Sequence, residues 1–289
     1  MKEQGIHIEQ LPENKPSVLI AGFNGWGNAL DVSKSMASYL IRKLQATKIA
    51  WINPEPFYRY DESRPIVDIK SGRLKSISPP GGSFHAAQVN LKGGKGIAIL
   101  KASEPNLRWF QFMGEVFDLC SKLGVKTIIN VGSMYDDVLH SDRIISGIAS
   151  SEELLAKLRQ KNVSPISYNG PGGIHSAMQS EGQKRGFHCI SLWCHCPYYL
   201  QGATHFGMLS QLGSLLSFLC DFELDVKELE ENWKELNKQI QNLVEENPEL
   251  NAMIRGLRKA KVRGSWASMK DTEKKNGKVI QLKDFLEPR

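Results

Sequence analysis

The chain has 289 residues, enough to bury a full core as one large domain or as a domain with an appendage. Hydrophobic residues make up 41% and charged residues 24%, an ordinary balance for a soluble globular protein. No run of about 18 apolar residues occurs, which excludes an expected membrane helix. The net charge of +6 is gathered at one end: Arg255 to Arg289 hold eleven Lys/Arg against four Asp/Glu, so the body is close to neutral.

Residues 1 to 16 are polar and interrupted by proline, without an apolar leader, and are expected to drape over the surface. Val18 to Phe23 is a continuous apolar run, the pattern of a strand buried on both faces. Asn24, Gly25, Trp26, Gly27 and Asn28 follow as a loop. A helix is predicted from about Asp31 to Gln45, with Val32, Met36, Tyr39, Leu40 and Leu44 on one face. Lys48 to Asn53 reads as the next strand, so the chain opens as β-α-β. The glycines at 22, 25 and 27 invite a nucleotide reading, but their spacing reverses the G-x-G-x-x-G fingerprint and no Gly-Lys-Ser/Thr follows. A loop at the carboxyl end of a central strand remains a natural crevice.

Pro65 to Lys70, Arg73 to Ser78 and Phe84 to Asn90 are short extended pieces cut by Gly and Pro, read as an antiparallel insertion or sheet edge. Gly96 to Ala102 is another buried strand, and a helix runs from about Asn106 to Leu123. Glu104 lies just past that strand, placed to hold a substrate hydroxyl or act as a base. The structural alternative is that Glu104 favours the helix dipole and pairs with Arg108. Val125 to Val131 is the next strand and is expected to end in a loop of Gly132, Ser133 and Met134. Arg143 to Ala149 is a strand, and Ser150 or Ser151 caps the helix after it.

Residues 165 to 205 are the most informative. Gly170, Gly172 and Gly173 form a permissive loop that opens a helix from Ile174, whose free N–H groups suit an anion or carbonyl. Gly186 stands where a helix-ending glycine belongs. Phe187 to Trp193 is a strand, and Cys194 to Tyr199, with Pro197 and Tyr198, reads as a second loop. The run Glu104-Pro-Asn-Leu-Arg108-Trp109, the glycine turn before a helix, the strand ending in Trp193 and the Pro197-Tyr198 pair together resemble the proteasome assembly chaperone family, in its bacterial branch. Asp137, His140 and Arg143 match a further family pattern, with Leu139 in place of its proline. The first strand of that family also ends in a glycine turn with a Trp.

The resemblance covers about residues 17 to 260. It implies a three-layer α/β/α fold with a mainly parallel sheet, like that of nucleoside phosphorylases and related hydrolases. Family members lack an agreed reaction. An ATP-grasp or ligase label has been attached to such sequences, yet the chain has no Gly-rich nucleotide lid and no paired metal-binding carboxylates, so no cofactor is expected. The alternation of strands and helices through residues 17 to 222 points independently to a mainly parallel sheet with helices on both sides.

Ala203 to Phe222 is apolar nearly all round and predicts a buried helix. Val226, Leu229, Trp233, Leu236, Ile240 and Leu243 then step by 3 and 4, a heptad seam on an otherwise charged helix. Asn247-Pro248 starts one more helix, striped by Leu250, Met253, Ile254 and Leu257. The division expected is a core over 1–222, a helical hairpin over 223–260 and a basic tail over 261–289. The hairpin is expected to dock on the body or on another subunit. Few aromatics interleave the basic tail, so it reads as a solvated end and nucleic acid is not an expected partner.

Five cysteines, an odd number in a chain with no visible export signal, predict reduced thiols and a cytoplasmic protein. His188, Cys189, Cys194, His195, Cys196 and His205 include only one close cysteine pair, a poor match to zinc, so no metal is assigned. Cys194 and His195 are adjacent on a strand and point to opposite faces, which disfavours a Cys–His nucleophile. Ser133 lacks the G-x-S-x-G elbow of a hydrolase. Two readings stay open. The first is a self-associating scaffold or assembly protein that binds protein partners. The second is an enzyme or small-molecule binder, hydrolase-, phosphorylase- or ligase-like. Its crevice would join Asn24 to Gly27, Glu104, Gly132 to Met134, His140 and Gly170 to Gly173, with Arg108, Trp193 and Pro197 nearby.

Overall fold

A computed structural model describes residues 5–89 and 96–262; nearly all of the expected basic tail lies outside the described residues. In chain order the strands are β1 (Ile6–Ile8), β2 (Val18–Asn24), β3 (Thr47–Ile52), β4 (Ile66–Lys70), β5 (Arg73–Ser78), β6 (Gly82–Ala87), β7 (Ile97–Ser103), β8 (Thr127–Asp136), β9 (Ile145–Ala149), β10 (Ser164–Pro165) and β11 (His188–Pro197). The α-helices are α1 (Val32–Lys43), α2 (Trp109–Leu123), α3 (Glu152–Gln160), α4 (Ile174–Lys184), α5 (Phe206–Cys220), α6 (Lys227–Glu246) and α7 (Pro248–Val262).

Nine strands form one sheet in the order β1-β3-β6-β7-β2-β8-β11-β9-β10. Its centre, β7-β2-β8-β11, is parallel, as the continuous apolar runs require. The flanks turn antiparallel at β6 and β9. Side chains alternate between two cores. Ile20, Ile99, Ile129 and Leu192 face α1, α5 and the C-terminal helices. Leu19, Phe23, Leu100 and Ile128 face α2 and α4. Three layers result.

Several segments depart from the sequence expectation. β3 does not pair with β2, because β6 and β7 lie between them. Residues 6–8, expected to drape, pair with β3 as an edge strand. Gly132, Ser133 and Met134 continue β8, and Cys194 to Pro197 continue β11; each stretch supplies the other's parallel partner, from Thr127↔His188 to Asp136↔Pro197. α2 begins at Trp109 because the N–H groups of Asn106 and Leu107 donate to the Phe57 carbonyl instead (2.9 and 3.0 Å). Gly186 closes α4 with φ 79°, a conformation that costs a glycine little. Ser151 caps α3 through Leu154 N–H.

The seam of α6 is spent on the chain's own body. Leu229, Trp233, Leu236 and Ile240, with Leu250 and Ile254 of α7, are buried in the same core as α1 and α5. Trp233 stacks on His205 at 5.0 Å, and Arg143 forks onto Glu230 (2.6 and 3.1 Å). Each such large apolar side chain contributes about 1.5–3 kcal/mol on full burial.

The pair β4–β5 stands apart from the sheet as a two-stranded arm. Among the described residues no helix is long and apolar enough to cross a membrane.

Candidate functional site

The central strands end at one edge, where the loop after β2, the residue after β7 and the start of α4 converge. Glu104 ties them together. Its carboxylate accepts from Trp26 N–H at 3.0 Å and from Ile174 N–H at 2.9 Å. Its own N–H donates to the Asn24 carbonyl at 2.7 Å. Ile174 is the first residue of α4, so the carboxylate sits on that helix's positive end. Gly25 has to lack a side chain, since a Cβ there would lie 2.6 Å from Glu104. The β2–α1 turn is strained to match: Leu30 and Asp31 both hold positive φ (51° and 55°). The Asn28 side chain pins it by donating to Asn24 and Asp31 (3.1 and 2.8 Å).

This geometry bears on the role of Glu104. Each carboxylate oxygen accepts from one backbone N–H, so the group joins the Trp26 turn to the start of α4. The dipole it serves is that of α4, not α2. Arg108 stands away as the exposed residue preceding α2, with φ 53°, and no ion pair joins it to Glu104 among the described residues.

Asn24, Gly25, Trp26, Glu104, Gly172 and Gly173 form one end of an open cleft of about 1150 Å³. The cleft runs along α1 and under the root of the arm, past Lys34, Arg64 and Lys101. His85 also borders it, and burial lowers that imidazole's pKa.

The other candidate residues lie elsewhere. Gly27 lies against His175, which is buried and packs against Trp193 at 5.0 Å, and Gly132 lies under the Trp193 ring. His175 Nε2 donates to the Val131 carbonyl at 3.0 Å, and burial lowers its pKa, so it is held neutral. Ser133 is buried and donates to the Ala29 carbonyl at 2.8 Å, a structural use of its hydroxyl. Met134 and Pro197 sit in paired strands. Gly170 lies in the loop beside Tyr168, short of the cleft. His140 is on the opposite core: it is buried against Tyr199 (Nδ1 to Oη, 2.7 Å) and lies 6.2 Å from the Trp233 ring. Burial is the main reason its pKa falls to about 4. Glu104 and His140 therefore share no pocket.

The cysteines are all free and buried. Burial pushes the thiols of Cys120, Cys196 and Cys220 up to about 12, Cys189 up to about 11 and Cys194 well above its ordinary value. They stay protonated at neutral pH. Cys194 and Cys196 face the α5 core, while His195 turns to the other face and meets Asp136 and Ser146. Among the described residues no group of three His, Cys, Asp or Glu could hold a metal.

In sequence the arm is marked only as short extended runs cut by Gly and Pro, with no residue type that singles it out as a site. Register pairs Val67 with Ile77 and Ile69 with Leu74, which puts four aliphatics on one face. They are 50–61% exposed. Asp136 and Ser146 carried no sequence signal, since their contacts span strands far apart in the chain.

A family model described as the PAC2 family matches residues 19–244. Among solved structures, the chain is similar to a PAC2 family protein from Streptomyces avermitilis. The two share 24% identity at TM-score 0.73, over 82% of this chain and 99% of that one. It is similar at 25% identity and TM-score 0.74 to a Mycobacterium tuberculosis proteasome-assembly chaperone homologue, over 82% and 99% of the two chains. A Pyrococcus furiosus protein described as an archaeal proteasome activator matches at 19% identity and TM-score 0.65, over 84% and 99%. Among curated proteins nothing matches.

Proposed function

The chain belongs to the PAC2 family, and on that premise we propose that it is a chaperone-like assembly protein that self-associates and binds protein partners through its β4–β5 arm. The family match bears out the resemblance drawn from Glu104 to Trp109, Gly170 to Gly173 and Trp193. The observation that carries the reading is the arm. A two-stranded hairpin is marginal alone in water. Among the described residues, this one presents Val67, Ile69, Leu74 and Ile77 on one exposed face and has no strand paired to either edge. Such a surface gains stability when another chain covers it. Phe110 on α2, 78% exposed, and Leu107 add a second apolar patch outside the core. The heptad seam of α6 is already used within the subunit, so self-association runs through the arm rather than the C-terminal hairpin. The names of the M. tuberculosis and P. furiosus proteins support an assembly role.

The reading with Glu104 as a catalytic base is not favoured, since two backbone N–H groups occupy its carboxylate and His140 lies on the other side of the sheet. The chain is expected to work in the cytoplasm, with its thiols reduced. Hydrogen exchange at rising protein concentration tests the proposal. Amides of β4 and β5 should gain protection as concentration rises. Fast exchange there at every concentration would count against it.

A further inference from the structure

At the carboxyl end of the sheet, three polar side chains that do not line the Glu104 cleft form a hydrogen-bonded chain on neighbouring strands. His195 Nδ1 lies 2.7 Å from Asp136 Oδ2, and His195 Nε2 lies 2.7 Å from Ser146 Oγ. β11 carries the histidine and pairs with both β8 and β9, which supply the other two. A carboxylate on Nδ1 holds the ring proton there, so Nε2 presents its lone pair to the serine hydroxyl. We propose that Ser146, His195 and Asp136 are a nucleophile, general base and positioning residue, and that they cleave activated esters of small apolar acids.

The supports of this chain are themselves fixed. The second oxygen of Asp136 accepts from Asp137 N–H at 2.9 Å. The His195 N–H donates to the Ile144 carbonyl at 3.0 Å. Ser146 stands directly opposite Trp193 in the antiparallel β9–β11 pair, so hydroxyl, indole and imidazole share one sheet face. Trp26, 65% exposed, meets Trp193 edge-on at 6.3 Å and extends the aromatic wall. An aromatic wall beside a hydroxyl suits an apolar acyl group and excludes a charged one. Ser146 is 6% exposed, which limits access to small, slender acyl donors. The chain order Asp, Ser, His is no obstacle, because such relays are recognised by geometry.

In the step itself, Ser146 Oγ bonds to the ester carbonyl carbon as its proton passes to His195 Nε2. The carbon–oxygen bond to the leaving alcohol breaks, and Nε2 returns the proton to that alcohol. Water then attacks the acyl-serine ester, gives its proton to Nε2 and releases the acid with Ser146 restored. No other co-reactant is needed. The inference stands apart from the arm, since the two share no residue.

The test uses the full-length protein, a fluorophosphonate probe with mass mapping of the modified residue, and p-nitrophenyl acetate and butyrate. Ser146 should be the residue modified. Ser146→Ala should abolish labelling, and His195→Gln should slow it and ester turnover by about 100-fold or more. Asp136→Asn should lower both, with part of the loss recovered in Asp136→Glu, which a merely structural contact would not require. Circular dichroism of each variant separates lost chemistry from lost folding. Mapping on the wild-type chain needs no variant. A folded wild-type protein that stays unmodified, modification at another residue, or wild-type labelling rates in a folded His195→Gln would each overturn the proposal.

Discussion

β2 and the β4–β5 arm are built from similar aliphatic residues and end in opposite environments. Leu19, Ile20, Ala21 and Phe23 are buried because helices cover both faces of the central sheet. Val67, Ile69, Leu74 and Ile77 are half exposed or more, on a pair of strands that stands outside the nine-stranded sheet. Burial of this kind stabilises the subunit by about 25 cal/mol per Å² of apolar surface. The arm's apolar face gains nothing until something outside the subunit covers it. One region is used in folding, and the other is the surface proposed for assembly.

The contrast can be sharpened from the core outward. Phe112 is fully buried, 5.3 Å from Phe57 and 6.4 Å from Phe23. Phe112→Ala should cost about 3–5 kcal/mol in urea unfolding. Acid comes next, because it attacks the seat of α6. Burial is the main cause that lowers His140 to about 4 and His205 to about 3, against an ordinary 6.5. Both folded values are depressed, so the unfolded chain binds more protons in between. Stability is then fully present above about pH 6.5 and falls as pH drops toward 4. The loss from His140 alone should be on the order of 3 kcal/mol, read from unfolding midpoints across that window. Insensitivity to acid there would detach the C-terminal helices from this account.

Glu104→Ala leaves the Trp26 and Ile174 N–H groups without their acceptor. It should cost about 1.5–3 kcal/mol and change the fluorescence of Trp26, while leaving self-association intact. The smallest effect per site belongs to the arm: Val67→Ser, Ile69→Ser, Leu74→Ser and Ile77→Ser should each move the subunit's unfolding by about 0.5 kcal/mol or less. A collapse of the fold in the variant with all four would show the arm to be part of the core after all.

Much of the fold was legible in the chain. Continuous apolar runs located β2, β7 and β8, and the 3–4 stepping of Leu229, Trp233, Leu236 and Ile240 marked the buried face of α6. Strand ends were harder. Gly132 to Met134 and Cys194 to Pro197 look like loops residue by residue, and become strands because each pairs with the other across about 60 positions. The site was legible in its parts but not in its joins. Glu104 was marked by its place after β7, yet its partner Ile174 lies seventy residues on. His195 was noticed for its cysteine neighbours, while its contacts are Asp136 and Ser146. Such joins depend on which strands become neighbours, and no local pattern records that.

The central claim is that the arm assembles the protein, and native mass spectrometry of the wild-type chain beside the four-serine arm variant tests it most directly. The account predicts a defined homo-oligomer for the wild type and a folded monomer for the variant. A wild-type monomer at micromolar concentration, or an oligomer of unchanged mass in the variant, would contradict it.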